Sequence, residues 1–152
     1  MSDSAVRTSI ELSLQHDYRF EVDFKAAGVP LLQTDAGPPL GAGEGPDSEK
    51  LLLAAVANCL SASLLFSLRK YRNDAPPMRA SARAELAPNA QGRTRVGRID
   101  VDIHLGVPAA ELRLLDRALA QYEDFCVVTQ SVRVAIPVGV RVFDGDGALL
   151  RS

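Results

Sequence analysis

The chain has 152 residues, of which 47% are hydrophobic and 24% are charged, and its formal net charge is −2. This length and composition predict one globular domain over residues 1–152 with a core of its own, and they exclude a disordered or fibrous chain. The pI near 5.7 excludes a basic footprint for nucleic acid. The N-terminal residues lack the basic start and apolar run of a secretory signal, so we expect a cytoplasmic protein.

The first part of the chain alternates between apolar and polar residues, which is typical of strands. His16 and Asp17 separate the first two alternating segments and predict a hairpin turn. The predicted strands cover residues 8–15, 18–24 and 29–34. Residues 36–46 follow with four Gly and three Pro, and this composition predicts a flexible, functional loop.

A long helix is predicted next, from Pro46, Asp47 and Glu49 to about Arg72, with residues 73–77 ending it. Residues 51–68 carry no charge and approach the length needed to cross a bilayer. Asn58 and several serines interrupt this run, however, and amphipathic strands surround it, so we interpret it as the core helix of a protein with no membrane segment. A helix that is apolar all round must be buried all round. Because so short a chain can cover only one side, we expect a homodimer.

Strands are predicted again at residues 80–86 and 99–107, the second alternating between apolar and polar residues. Pro108 is expected to begin a second helix, with Cys126 at its end. Residues 134–143 are expected to form the last strand. The apolar stripe of that helix comprises Leu112, Leu115, Leu119 and Tyr122. This order predicts an α+β fold in which antiparallel sheet wraps a buried helix, and the paired strands argue against a doubly wound sheet.

The chain has two cysteines, Cys59 in the apolar helix and Cys126. Thiols in the cytoplasm are normally reduced, which leaves metal binding, catalysis or simple burial. No cluster of ligands accompanies His16 or His104, so no metal site is predicted. Because burial raises the pKa of a thiol, a reactive Cys59 needs a hydrogen-bond donor or a cation nearby. Glu49 could orient such a partner, but it lies ten residues earlier, about 15 Å along a straight helix.

Two motifs resemble a known family. Residues 45–61, GPDSEKLLLAAVANCLS, are similar to the Gly-x-x-Pro-x-Glu-Leu-Leu-x-Ala-Ala-x-Ala-x-Cys signature of the OsmC/Ohr family, the osmotically induced and organic-hydroperoxide-resistance proteins. Residues 126–131, CVVTQS, resemble its second cysteine motif. The order of elements also matches over nearly the whole chain. The resemblance implies antiparallel sheets wrapped around long central helices in an intertwined homodimer, with sites at the dimer interface.

The resemblance also implies a thiol peroxidase without a cofactor. Cys59 would attack a peroxide to give a sulfenic acid, and Cys126 would condense with it to a disulfide that an external dithiol reduces. Glu49 would orient an arginine beside Cys59. Residues 36–48 contain no Arg or Lys, so Arg19 on an early strand is the candidate cation, as in Ohr-type relatives. Val127 replaces the Pro that commonly follows the second cysteine.

We expect organic hydroperoxides with apolar tails as substrates, because an apolar pocket favours an apolar ligand. One alternative is an OsmC-like protein without peroxidase activity that binds an apolar small molecule at the dimer interface. Another is a thioesterase that uses the helix carboxylate of Glu49.

Overall fold

The computed structural model describes residues 5, 7–74 and 77–152. The chain divides into two compact units, Met1–Leu51 and Leu52–Ser152, and the single domain over 1–152 stays a prediction. Most of the N-terminal residues on which the expected absence of a secretory signal depends lie outside the described part. So do Ala75 and Pro76, two of the residues predicted to end the long helix.

The first unit contains a three-stranded antiparallel sheet in the order β1-β2-β3. All three predicted strands are confirmed, with shorter bounds. Asp17 begins the turn between the first two at a φ of 48°, a left-handed conformation that Asp tolerates better than most residues. Val22 is buried, whereas Leu12 and Leu14 are exposed. The strands are β1 (Glu11–His16), β2 (Arg19–Asp23) and β3 (Leu32–Thr34).

The Gly-rich loop is held in a compact form by the buried side chain of Asp35. Its Oδ2 accepts hydrogen bonds from the backbone N–H groups of Ala42 at 3.1 Å and Glu44 at 3.2 Å. A Cβ atom at Gly41 would lie 2.3 Å from Asp35 Oδ1, and one at Gly45 would lie 2.5 Å from a backbone oxygen. Gly41 therefore permits close packing against Asp35, and Gly45 permits close packing against the backbone of Gln33. The flexibility of the loop stays a prediction.

Helix α1 spans Ser48–Lys70 and is preceded by Asp47, whose Oδ1 accepts a hydrogen bond from the backbone N–H of Lys50 at 2.8 Å. This side-chain bond satisfies one of the free N–H groups of the first turn. Within the second unit, one face of α1 is buried at four-residue intervals. That face comprises Val56, Leu60, Leu64 and Leu68.

Within the single chain α1 is covered on one side only, as expected of so short a chain, and its burial all round stays a prediction for the homodimer. Ala54, Ala55, Asn58 and Phe66 are exposed, and Phe66 retains 62% of its accessible surface. In the described part of the chain, α1 is the one helix whose length and apolar composition would allow it to cross a membrane. Its buried face packs in the protein core, as expected of the core helix of a globular protein.

The second unit also contains a four-stranded sheet in the order β4-β5-β6-β7. Its β5 and β6 are parallel, unlike the other pairs, because the chain between them makes a crossover that contains helices α2 and α3. The α+β class with antiparallel sheets and a long helix is confirmed, and this one pair is corrected. The elements are β4 (Arg79–Pro88), β5 (Thr94–His104), α2 (Leu115–Gln121), α3 (Val127–Val132), β6 (Val138–Phe143) and β7 (Leu149–Arg151).

One apolar core joins the sheet to α1 and to the crossover. The alternating apolar residues of β5 and β6 face this core, which explains why both strands alternate in sequence. The sheet contributes Ile99, Val101, Ile103, Val138, Val140 and Val142, and the crossover contributes Ala118, Leu119, Tyr122 and Cys126.

Two predicted elements are present with different bounds. The helix expected from Pro108 is interrupted because the side chain of Asn73 bonds both backbone groups of Arg113, at 2.6 and 2.8 Å, in place of helical partners. Leu114 then takes a left-handed φ of 49° before α2 begins. The strand expected from Val134 begins only at Val138, because the backbone N–H groups of Ala135 and Ile136 donate to the Val132 carbonyl at the end of helix α3. Val134 remains 88% exposed.

Candidate functional site

Cys126 is fully buried at the junction between a 3-10 turn, Tyr122–Phe125, and helix α3. Its backbone N–H donates to the carbonyl of Glu123 at 3.1 Å. Its Sγ is hydrogen-bonded to Thr129 Oγ1 at 2.9 Å. Burial raises the pKa of the Cys126 thiol, and the neighbouring Cys59 thiol raises it further, whereas the Thr129 hydroxyl opposes both effects.

Cys59 projects from α1 and is half-buried against the same core. It is near enough to Cys126 to perturb its titration. Both cysteines are free thiols. The structure thus brings the two predicted cysteines together within the second unit, although they belong to distant segments of the sequence.

The surroundings of the thiols are mostly apolar. Tyr122 is fully buried beside Cys126, and burial raises the pKa of its phenol. Among the described residues its hydroxyl is a buried side-chain atom without a hydrogen-bond partner. Phe66 of α1 meets Phe125 edge to face, with ring centroids 6.3 Å apart, and both rings are largely exposed. An apolar molecule could therefore pack on these two rings, and Phe125 directly precedes Cys126 in the sequence.

A charged network holds the segment that carries Cys126. Glu123 Oε1 accepts a hydrogen bond of 2.6 Å from Arg133, and its Oε2 lies 3.2 Å from Arg151 Nη2. Arg133 also donates to the backbone carbonyl of Val138 at 3.0 Å. Sequence reasoning missed both this network and Thr129. The Thr129 side chain lies three residues after Cys126, a spacing at which two side chains of a helical turn can meet, and this was the available signal.

The other two predicted site residues belong to the first unit. Glu49 is exposed in the first turn of α1, where its carboxylate accepts a hydrogen bond of 3.1 Å from Ser48 Oγ. Arg19 forms an ion pair with Glu44 of the Gly-rich loop. Among the ion pairs of the described residues, none joins Arg19 to Glu49. The roles of both residues in thiol chemistry stay predictions.

Arg19 also borders a cavity of about 260 Å³, which Asp35 and Leu40 help to line. The Arg19 guanidinium is engaged by Glu44 and the Asp35 carboxylate by the loop backbone, so both of these charged groups already have partners. Within residues 5, 7–74 and 77–152, no three or more His, Cys, Asp or Glu side chains form a group that could hold a metal ion.

Comparison with solved structures shows the same fold at low identity. An OsmC-like protein from Mycoplasma pneumoniae superposes with a TM-score of 0.72 at 14% identity, covering 91% of this chain and 97% of that one. An organic hydroperoxide resistance protein from Elizabethkingia anophelis gives 0.69 at 15%, covering 92% and 97%. A Vibrio cholerae protein, named as a candidate organic hydroperoxide resistance protein with captopril in one of its active sites, gives 0.66 at 19%, covering 98% and 97%.

No curated protein gives a significant match to the sequence. The family model described as OsmC-like protein matches residues 41–141. This match includes Glu49 and both cysteines and extends from the Gly-rich loop into β6. The chain is therefore a member of the OsmC-like protein family.

Proposed function

We propose that the protein is a thiol-dependent peroxidase that reduces organic hydroperoxides in oxidative-stress defence. The observation that carries the proposal is the meeting of two free thiols, one half-buried and one fully buried, in apolar surroundings. Its membership of a family with hydroperoxide-resistance relatives supports the same chemistry.

The proposed reaction has three steps. Cys59 attacks the terminal peroxide oxygen, the O–O bond breaks, and the products are the Cys59 sulfenic acid and an alcohol. Cys126 then attacks the sulfenic sulfur, and its proton leaves with the hydroxyl as water while a disulfide forms. An external dithiol reduces this disulfide by thiol–disulfide exchange and restores both thiols.

The substrates we propose are hydroperoxides with apolar tails. The exposed rings of Phe66 and Phe125 offer a surface for such a tail, since burying apolar area is favourable in water. Hydrogen peroxide lacks such a tail and gains nothing from this surface. This preference distinguishes the proposed enzyme from a peroxidase that reacts with all peroxides alike.

We further propose that two copies of the chain form a homodimer in the cytoplasm, and that the assembled dimer provides the cation needed at Cys59. Arg19 is the proposed cation and Glu49 its orienting carboxylate. The exposed apolar face of α1 and the exposed Leu12 and Leu14 of β1 support an assembly, because soluble monomers rarely leave such surfaces uncovered. In that assembly Arg19 would have to exchange Glu44 for Glu49.

A second candidate function is the binding of an apolar small molecule without peroxidase activity. Two observations favour it: Arg19 is engaged by Glu44, and residues 36–48 contain no Arg or Lys. In this case Cys59 and Cys126 are core residues. Cys59→Ser should then leave ligand binding intact, and the wild-type thiols should alkylate slowly at neutral pH.

The test is intact-mass analysis before and after one equivalent of cumene hydroperoxide. We expect the wild-type mass to fall by two hydrogens and Cys126→Ser to gain one oxygen, trappable with dimedone. Cys59→Ser serves as the matched control and should not change. A wild-type sample that keeps both thiols would refute the peroxidase and favour the binding protein.

A further inference from the structure

The Thr129 hydroxyl is hydrogen-bonded to Cys126 Sγ, with Oγ1 and Sγ 2.9 Å apart. The Thr129 side chain is fully buried, so solvent does not compete for this contact. The residue lies in α3, the helix that begins directly after Cys126. Its hydroxyl is therefore held against the sulfur by the local fold.

A hydroxyl can serve both protonation states of a thiol, because it accepts one hydrogen bond and donates another. When Cys126 is protonated, its S–H donates to Thr129 Oγ1. When Cys126 is ionised, the Thr129 O–H donates to the thiolate. This second contact is charge-assisted and hence the stronger of the two.

The resolving step of the proposed peroxidase needs such assistance. Cys126 must lose its proton inside the core, where burial disfavours the charged form. In the step, Cys126–SH and Cys59–SOH give the disulfide and water. The Cys126 sulfur is oxidised, the Cys59 sulfur is reduced, and the thiol proton leaves on the departing hydroxyl.

We propose that Thr129 is a catalytic residue of the resolving step, whose hydroxyl stabilises the Cys126 thiolate while it attacks the Cys59 sulfenic acid. This inference depends on the proposed peroxidase function for the step itself. It predicts a specific defect: loss of the hydroxyl slows disulfide formation and leaves the oxidation of Cys59 unchanged.

The variants Thr129→Val and Thr129→Ser separate the hydroxyl from the shape of the side chain. Valine keeps the volume and removes the hydroxyl, whereas serine keeps the hydroxyl. Urea unfolding of both variants verifies that they fold. If Thr129 had a purely structural role, its substitution would lower the unfolding free energy, and the rate of disulfide formation would not depend on whether the variant keeps a hydroxyl.

The first measurement is a titration of thiolate absorbance in a Cys59→Ser background, where Cys126 is the remaining thiol. Other titratable or charged groups around Cys126 are Tyr122 and Glu123 on the preceding turn and the two arginines bound to Glu123. These groups are the same in every variant, so differences report Thr129. We expect the midpoint to move to higher pH with valine and to remain in place with serine. Equal midpoints would overturn the inference.

The second measurement follows the Cys59 sulfenic acid by dimedone trapping after a pulse of cumene hydroperoxide. We expect it to persist about tenfold longer in Thr129→Val at neutral pH, as removal of a hydrogen bond to a charged group allows. The serine variant and higher pH should each shorten its lifetime again. An unchanged lifetime of the sulfenic acid in Thr129→Val would refute the role of Thr129 but not the proposed peroxidase. No sulfenic acid in any variant, Cys126→Ser included, would refute the peroxidase and the resolving role with it.

Discussion

Phe66 provides the sharpest test of the proposed homodimer. It projects from the uncovered face of α1 with 62% of its surface exposed, and within the chain it meets the edge of Phe125. In a symmetric dimer built on this face, each copy would bury its own Phe66. Phe66→Ala removes the ring without adding charge or bulk.

The expected loss follows from the exposed area. Full burial of a phenylalanine side chain is favourable by about 1.5–3 kcal/mol, so covering the remaining 62% is favourable by about 1–2 kcal/mol per copy. The dimer, which buries two copies of the ring, loses about 2–4 kcal/mol of binding free energy. Its dissociation constant should therefore increase by a factor between roughly 30 and several hundred.

Sedimentation equilibrium over a range of concentrations measures this constant directly. Val134→Ala is the matched control: Val134 is 88% exposed in the same unit but does not belong to α1, and its truncation should leave dissociation unchanged. Thermal unfolding should register the lost pairing with Phe125 as a separate, smaller effect. A wild-type chain that sediments as a monomer, or equal constants for wild type and Phe66→Ala, would refute this role for the face.

Two further predictions concern the sheet and the loop. Arg141 first, and then Arg83, hold the pKa of the Asp102 carboxyl below its ordinary value of 3.8. A depressed carboxyl contributes stability that is lost as the pH falls through its folded-state pKa, so Asp102→Asn should lower the unfolding free energy at pH 7 and flatten its decline below pH 3.8. Urea titrations at several pH values would contradict this if the two curves stayed parallel. Gly45→Ala places a Cβ 2.5 Å from the Gln33 carbonyl and should speed proteolysis and amide exchange of residues 36–47, whereas Gly37→Ala meets nothing within 4 Å and should not; equal protection in both variants would count against a tightly packed loop.

Periodicity predicted the elements whose surroundings are regular. Alternation located β1, β2 and β5 because each of these strands has neighbours on a sheet and faces that differ in polarity. The long helix was evident from its uncharged length and its acidic start. Residues 134–136 carried the same alternation, yet the backbone N–H groups of Ala135 and Ile136 bond Val132 as the end of α3. Local pattern could not reveal that bond.

The candidate site shows a similar division. The motif resemblance selected Cys59 and Cys126, and the structure places them side by side. Tertiary contacts decided the rest. Asn73 interrupts a helix forty residues away, and the Asp35 carboxylate accepts hydrogen bonds from the backbone of the Gly-rich loop. The pairing of Arg19 with Glu44 also depends on how that loop folds back, which residue spacing does not encode.

The exposed apolar side chains of β1 have a consequence for the life of a newly made chain. Strand β1 lies at the edge of its sheet and exposes apolar side chains, and strands of other chains can pair with such an edge. The surface that would give a correct assembly its affinity is thus also a point of vulnerability to aggregation. Monomers, which predominate at low concentration and directly after synthesis, would be the form most prone to aggregation. Rapid formation of the homodimer would therefore itself protect the protein from aggregation.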